Sequence, residues 1–228
     1  MQWPLPIRIR FKAMFMEFEY SDNTKQLMKQ VQSFLDTHLY PIEQELNEAI
    51  ENGPDRWAIP PQIEELKALA KAQGLWNLFL PDSDDGYGLT NLEYAPLAEM
   101  MGRTRFASEI FNCSAPDTGN MEVLEKYGTP EQKEKWLKPL MAGDIRSVFC
   151  MTEPDVASSD ATNMEATAII EGDEVVLNGR KWWRTGVGHT NCNVGTCRAL
   201  TDPEDTRLTR HSMVFVSMSQ PGVTTDGV

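Results

Sequence analysis

The sequence lacks the features that metal sites, membrane-spanning helices and nucleic-acid-binding proteins require. Its four cysteines and three histidines form no Cys-x-x-Cys pair and no cluster at ligand spacing, so we expect no metal site. No apolar run approaches the roughly 20 residues that a transmembrane helix needs, so we expect no membrane span. The formal net charge of −13 argues against nucleic-acid binding, because that function needs a basic surface to displace counterions from phosphates.

The scarcity of cysteine also bears on the compartment. Because no secretory signal is present, we expect four reduced thiols and a cytoplasmic location, with the mitochondrion or the peroxisome as alternatives in a eukaryote. Residues 1–15 form an extension with three basic residues and no acid. This composition faintly resembles a transit peptide but lacks serine richness, and the plainer interpretation is that Met14 or Met16 is the true start.

The first half of the chain has helical periodicity. Apolar residues recur at three- and four-residue steps over residues 21–50, which predicts one long helix, kinked near Pro41. A second helix is predicted to begin near Ile63 and to end at Gly74. Residues 79–89 are rich in turn formers and are predicted to be a loop.

Three further signals predict where later helices begin. Thr90-x-x-Glu93 has capping-box spacing and predicts a third helix. A fourth is expected over residues 117–127. Thr129-Pro130-Glu131-Gln132 combines an N-cap, a proline at the first helical position and a glutamine at the third, which predicts a helix through Leu140.

Beyond Ile145 the pattern changes to short runs separated by turn residues, which is typical of strands. The predicted strands cover residues 147–151, 165–170, 174–177, 181–184 and 213–218. Glu171-Gly172-Asp173 is predicted to be a hairpin connection. The sequence therefore predicts an α+β fold, in which an all-α N-terminal domain at residues 16–143 is followed by the start of an antiparallel β-domain at residues 144–228.

One strand runs into a loop that is dense in hydroxyl groups and exposed amides. It reads Phe149-Cys150-Met151-Thr152-Glu153-Pro154-Asp155-Val156-Ala157-Ser158-Ser159-Asp160. On composition alone it could equally be an ordinary turn. Glu153 is an attractive carboxylate, but we do not expect a catalytic base there, because carboxylates at strand ends usually accept hydrogen bonds from nearby amides.

Two ordered motifs carry a resemblance to the acyl-CoA dehydrogenase family. Thr152-Glu153-Pro154 followed by Ser159-Asp160 is similar to the family's flavin signature, and residues 179–186, Gly-Arg-Lys-Trp-Trp-Arg-Thr-Gly, are similar to its Gly-x-Lys-x-Trp segment. The resemblance extends over residues 16–228. The paired tryptophans and the form of the loop resemble in particular the branch whose larger animal members carry a kinase-like domain.

The resemblance implies FAD as cofactor, acyl-CoA as substrate and the residues that bind them. The cofactor-binding residues expected on this basis are Phe149, Met151, Thr152, Ser158, Ser159, Trp183, Arg184 and Thr185. The loop is one residue longer than the medium-chain pattern, so we align Ser159, rather than Ser158, with the serine that also contacts the substrate. If residues 181–184 form a strand, Trp182 and Trp183 point to opposite faces, and Trp183 is the expected neighbour of the flavin.

The family also carries a second helical bundle after the sheet, and this bundle supplies the catalytic glutamate. We therefore expect the chain to be truncated, without a catalytic residue of its own and inactive alone. Electron-transferring flavoprotein and further copies of the chain, as a dimer or tetramer, are the partners that the resemblance implies. A non-catalytic remnant that binds flavin or acyl-CoA, or a purely structural fragment, remain the alternatives.

Overall fold

The computed structural model describes residues 19–55, 57–81 and 86–226. The N-terminal extension and part of the loop predicted at residues 79–89 lie outside these ranges. Within the described residues, no helix has the length and apolar character needed to cross a bilayer. The order of elements is helices first and strands second, which confirms the α+β fold.

The first predicted helix is present and is irregular around its proline. Helix α1 (Asp22–Phe34) continues through a π-helical turn (Leu35–Leu39) and a 3₁₀ turn (Tyr40–Ile42) into α2 (Glu43–Glu51). The irregularity falls where the kink at Pro41 is predicted. Proline has no N–H to donate, and the wider π-helical turn before it and the tighter 3₁₀ turn that contains it accommodate the missing hydrogen bond.

The next helices follow their terminal signals. They are α3 (Pro61–Ala72), α4 (Asn91–Met101), α5 (Ala107–Ile110) and α6 (Asp117–Tyr127). Gly74 adopts a positive φ of 71° just after α3, as expected for a glycine that ends a helix. At α4, Thr90 and Glu93 make both hydrogen bonds of the predicted capping box. The short α5 is an element that periodicity does not reveal.

The last helical segment, like the first, contains a π-helical turn shortly before a proline. Thr129 and Gln132 form a second capping box at α7 (Pro130–Gln132), a π-helical turn covers Lys133–Leu137, and α8 (Lys138–Ala142) follows. The π-helical turn ends two residues before Pro139, just as the first ends two residues before Pro41. The predicted helix through Leu140 is confirmed, and Gly143 ends it with φ 75°.

Over the described part of the chain the sheet has five strands, and the sequence predicts all but one of them. The strands are β1 (Arg146–Cys150), β2 (Thr167–Glu171), β3 (Glu174–Asn178), β4 (Cys192–Leu200) and β5 (His211–Ser217). The central strand β4 escapes sequence analysis because its glycine and two cysteines give no clear alternation. The strand predicted at residues 181–184 is wrong, since that segment is a loop.

The pairing of these strands is mixed rather than antiparallel throughout. β2 with β3 and β4 with β5 are antiparallel, whereas β4 runs parallel to both β1 and β2. The correction follows from the missed strand, because β4 lies between β1 and β2. The hairpin predicted at Glu171-Gly172-Asp173 is confirmed by the direct pairing of Glu171 with Glu174.

The helices pack against one face of the sheet. The large buried core of the helical region includes Val194 of β4, and the Trp136 ring lies 5.6 Å from the Phe215 ring of β5. The opposite face carries small side chains, including Gly195 and Cys197, at the floor of a cleft. The sheet therefore has one face buried by helices and one face that leads to a candidate site.

Candidate functional site

A cleft of about 970 Å³ lies over the second face of the sheet. Its floor comes from β1, β4 and β5, and its walls come from residues 177–187, residues 222–226 and Trp57 of the helical region. A cleft of this size is within the range of small-molecule and cofactor sites, which is roughly 300–1,000 Å³.

The two sequence motifs meet at the edge of this cleft. The Trp182 amide donates to the Thr152 carbonyl over 3.0 Å, and the Lys181 ammonium donates to the Met151 carbonyl over 3.1 Å. Arg184 donates to the carbonyls of Phe149 and Thr152. Segments about thirty residues apart are therefore joined by several hydrogen bonds.

The two tryptophans do not alternate across a strand as predicted. Trp183 has a positive φ of 53°, so the chain turns and both rings lie on the same loop, 5.6 Å apart. Trp183 is 80% exposed and Trp182 is 44% exposed, and both line the cleft. A left-handed backbone at a bulky residue costs on the order of 1–3 kcal/mol, and such strain clusters at functional sites.

The hydroxyl groups near this junction differ in whether they are already bonded. Ser158 is buried, and its hydroxyl accepts from the Glu153 amide over 2.9 Å and lies 3.3 Å from the Glu153 carbonyl. The hydroxyls of Thr152, Ser159 and Thr185 show no hydrogen bond to another described residue. Three hydroxyls therefore remain able to bind a ligand, whereas Ser158 is occupied inside the loop.

The predicted site residues fall into two groups. Trp183, Arg184 and Thr185 line the cleft, and the backbone of Phe149, Met151 and Thr152 is joined to them as described. The serines lie beyond Glu153 and are not part of the cleft lining. The structure therefore brings together six of the predicted residues and leaves Ser158 and Ser159 on a neighbouring turn.

Glu153 is fully used in bonds within the protein. Its carboxylate accepts from Lys181 over 2.6 Å and from the amides of Glu165 and Ala166 over 2.7 and 2.9 Å. Burial favours a higher pKa for Glu153, but these donors outweigh it and hold the pKa below its usual value. This geometry agrees with the expectation that Glu153 is not a catalytic base.

Two glycines allow the cleft walls to approach closely. A Cβ at Gly179 would lie 2.4 Å from the Ala166 Cβ, and a Cβ at Gly188 would lie 2.4 Å from the Trp57 ring. Trp57 is a cleft residue that the sequence analysis missed. The unusual density of glycine at residues 179–188 is the signal that could have indicated a close approach.

A buried ionic cluster joins the helical region to the start of β1. Glu109 contacts Arg146 at 2.7 Å and Lys67 at 2.9 Å, while Asp117 pairs with Arg146 and accepts from the Ser147 amide over 2.7 Å. Burial favours a higher pKa for Glu109, but His189, Arg146 and Lys67 together hold it well below its usual value.

His189 lies next to the same cluster. Its position in the loop after Gly188 suggests a solvated side chain, but only 10% of the side chain is exposed and its Nε2 lies 3.7 Å from Glu109. The His189 side chain is therefore packed beside the ionic cluster rather than exposed to solvent.

The described residues offer little basis for metal binding or for thiol chemistry. Among the described residues there is no group of three or more His, Cys, Asp or Glu side chains that could hold a metal. All four cysteines are free thiols. Burial raises the pKa of Cys150, on the cleft floor, to about 11, which makes its thiolate scarce at neutral pH.

Family models match both halves of the chain. Residues 21–144 match the model described as acyl-CoA dehydrogenase, N-terminal domain, and residues 148–227 match the model described as acyl-CoA dehydrogenase, middle domain. The acyl-CoA dehydrogenase family member 11 of Gallus gallus is 49% identical over 210 residues, which cover 90% of this chain and 27% of that protein.

Solved structures give the same result. A Mycobacterium abscessus structure assigned to the acyl-CoA dehydrogenases is 57% identical with a TM-score of 0.87, over 90% of this chain and 52% of that one. A glutaryl-CoA dehydrogenase from Mycobacterium smegmatis in complex with FADH2 is 25% identical with a TM-score of 0.67, over 89% of this chain and 47% of that one. The chain thus spans between about a quarter and about half of the length of these relatives.

Proposed function

The chain belongs to the acyl-CoA dehydrogenase family, and from that premise we propose that it binds FAD and acyl-CoA for the α,β-dehydrogenation of an acyl-CoA thioester. The observation that carries the proposal is the junction of the two motifs. The exposed Trp183 indole, the Arg184 guanidinium and Thr185 line the cleft, and the Thr152 carbonyl is hydrogen-bonded to the same loop. The hydroxyls of Thr152 and Thr185 bond to no other described residue. This is the combination of an apolar wall and a few polar groups that suits a flavin ring.

Each of the residues at the junction has a role in this proposal. FAD, when bound, supplies the acceptor for the hydride that leaves the β-carbon. The Thr152 and Thr185 hydroxyls bind the polar edge of the ring, and Trp183 covers one of its faces. Phe149 and Met151 support the ring from the end of β1, and Arg184 keeps that strand end in place through its two carbonyl contacts.

Ser159 is assigned to the region where the phosphates of FAD and the CoA arm of the substrate come close. Its hydroxyl is exposed and unbonded within the described residues, whereas the Ser158 hydroxyl is bonded to Glu153. A short polar side chain at a turn with exposed amides can bind a phosphate even on an acidic protein. The register that places the extra residue before Ser159 therefore remains the one we propose.

We assign no catalytic base within the chain. Glu153 is committed to Lys181 and two amides, and Asp226 is the only carboxylate among the described residues that lines the cleft. Asp226 is exposed and, among the residues that the structure describes, has no partner that would fix it for proton removal. We propose that the base comes from a helical bundle outside these 228 residues.

The same premise suggests the partners and the compartment. We propose an electron-transferring flavoprotein as the acceptor of electrons and self-association as a dimer or tetramer. A cytoplasmic location, or a mitochondrial or peroxisomal one in a eukaryote, completes the proposal.

The proposal is tested by the absorption spectrum of the purified 228-residue chain after addition of FAD and removal of unbound cofactor. We expect a bound-flavin spectrum. We also expect that anaerobic addition of acyl-CoAs of several lengths does not bleach it, because general-base assistance contributes about 10² to 10⁴ in rate. A chain that retains no flavin would contradict the FAD assignment. Rapid bleaching would contradict the absence of a base and would make Glu153 and Asp226 the first residues to substitute.

A further inference from the structure

The ammonium group of Lys181 is the most highly connected side-chain atom beside the cleft. Its Nζ donates to the Glu153 carboxylate at 2.6 Å, to the Arg198 carbonyl at 2.7 Å and to the Met151 carbonyl at 3.1 Å. An ammonium group has three protons, which these three oxygen acceptors can take, and the Met164 Sδ lies 3.9 Å from the same Nζ. Only 9% of the Lys181 side chain is exposed.

These contacts join four pieces of backbone. Met151 directly follows β1, Arg198 belongs to the central strand β4, and Lys181 lies in the loop of the second motif. Glu153 extends the connection to the entry of β2 through the amides of Glu165 and Ala166. One ion pair therefore fixes the mutual position of the segments that present the candidate ligand-binding groups.

The pair also leaves those ligand-binding groups free. Carbonyls of the strand end are turned toward Lys181 and Arg184, while the side chains of Thr152 and Thr185 bond to no other described residue. Removing one member of a buried pair leaves an uncompensated charge, which is strongly destabilising locally. Lys181, which also lines the cleft, is thus in a position to control the geometry of the site through the backbone segments that it joins.

We propose that Lys181 and Glu153 are positioning residues that hold the strand end at 149–152 and the loop at 181–185 in the arrangement that binds flavin. This inference rests on the proposed function for the identity of the ligand. The arrangement itself is a property of the chain and is measurable without any ligand.

The experiment compares Lys181→Met with Lys67→Met in the 228-residue chain. Lys67 is a matched control because 7% of its side chain is exposed and it pairs with Glu64 at 2.7 Å and Glu109 at 2.9 Å. It lies on α3 and does not line the cleft. Both variants are measured well below their own unfolding temperatures, so that differences in global stability do not decide the result.

The first measurement is amide hydrogen exchange without FAD. In Lys181→Met we expect at least tenfold faster exchange at the amides of Glu165, Ala166 and Trp182, and no such change there in Lys67→Met. Unchanged exchange at these amides in Lys181→Met, or equal acceleration in both variants, overturns the positioning role. This result does not depend on whether the chain binds flavin.

The second measurement is FAD affinity together with the visible circular dichroism of the bound flavin. We expect Lys181→Met to weaken FAD binding about tenfold or more and to change the dichroism, and Lys67→Met to change neither. Equal FAD affinity and dichroism in wild type and Lys181→Met overturn the inference. If the wild type binds no FAD but the exchange result is as expected, the positioning role of Lys181 and Glu153 is supported and the proposed function fails.

Discussion

The helical region and the cleft region each contain a buried lysine that pairs with a carboxylate, but the neighbours of the two lysines differ. Lys67 belongs to a cluster with Glu109, Arg146 and Asp117, and that cluster joins helices to the start of β1. Lys181 belongs to a pair with Glu153 beside a cleft with an exposed indole and unbonded hydroxyls. Buried charge alone therefore does not distinguish the two regions, whereas the unused polar groups beside Lys181 do.

The helical cluster is predicted to matter most for stability. Replacement of Asp117 by Ala leaves Arg146 buried without this partner and removes the acceptor for the Ser147 amide. We expect a loss of about 3–5 kcal/mol in the free energy of unfolding, measured by urea denaturation. The control is Glu134→Ala, which breaks an exposed pair with Lys138 and is expected to cost at most about 0.5 kcal/mol. Similar losses in both variants would remove the distinction between the cluster and ordinary surface pairs.

Acid should weaken the same cluster. The pKa of Glu109 lies below its usual value in the folded chain because its cationic neighbours outweigh burial. Its contribution to stability is therefore present above the usual glutamate pKa and is lost as the pH falls from about 4.3 toward the folded-state pKa. We expect the difference in unfolding temperature between wild type and Glu109→Gln to be constant near neutral pH and to shrink below about pH 4.3. A difference that does not depend on pH would show that Glu109 is not ionised in the cluster.

At the cleft, stability and binding are predicted to change in opposite directions. Trp183 holds a positive φ of 53° and is 80% exposed, so Trp183→Gly should relieve strain and raise the unfolding free energy by about 0.5–1 kcal/mol. The same change removes the aromatic wall and should weaken FAD binding by about 0.5–1.5 kcal/mol. Denaturation and FAD titration of one preparation test both signs. A variant that is less stable and binds FAD as well as wild type would contradict the role assigned to this residue.

At the paired serines, the effects on stability and on binding are expected to separate. Ser158→Ala should lower stability by about 1–3 kcal/mol at most, because it leaves the buried Glu153 amide without its acceptor. Ser159→Ala should leave stability unchanged and weaken FAD or acyl-CoA binding by about 0.5–1.5 kcal/mol. If instead Ser158→Ala weakened binding and Ser159→Ala left binding unchanged, Ser158 would be the serine that contacts the ligand. The extra residue of the loop would then follow that serine rather than precede it.

The sequence predicted the helical region more completely than the sheet. Capping boxes at Thr90 and Thr129 and the proline at position 41 act within a few residues, so their consequences can be inferred locally. Strand β4 is stabilised by pairing with three other strands, β1, β2 and β5. Apolar and polar residues do not alternate clearly along it. The turn at Trp183 depends on hydrogen bonds to a strand end that is distant in the sequence. Because these bonds cannot be inferred locally, the paired tryptophans predicted a strand instead.

The candidate site divides in the same way. The motifs indicated Thr152, Trp183 and Thr185 because their residue types match a family pattern. Trp57 could not be predicted, since it reaches the cleft from the helical region through contact with Gly188. The bonding of Lys181 to three acceptors likewise depends on strands that meet only in the folded chain.

The most direct test of the account is the FAD affinity of Thr152→Val/Thr185→Val compared with wild type. Both hydroxyls are unbonded within the described residues, so valine should leave the unfolding temperature nearly unchanged. Loss of two hydrogen bonds to a ligand, at about 0.5–1.5 kcal/mol each, predicts FAD binding that is weaker by roughly 5- to 140-fold. Equal FAD affinity in the variant and the wild type would contradict the central claim that the two motifs join to form the flavin site.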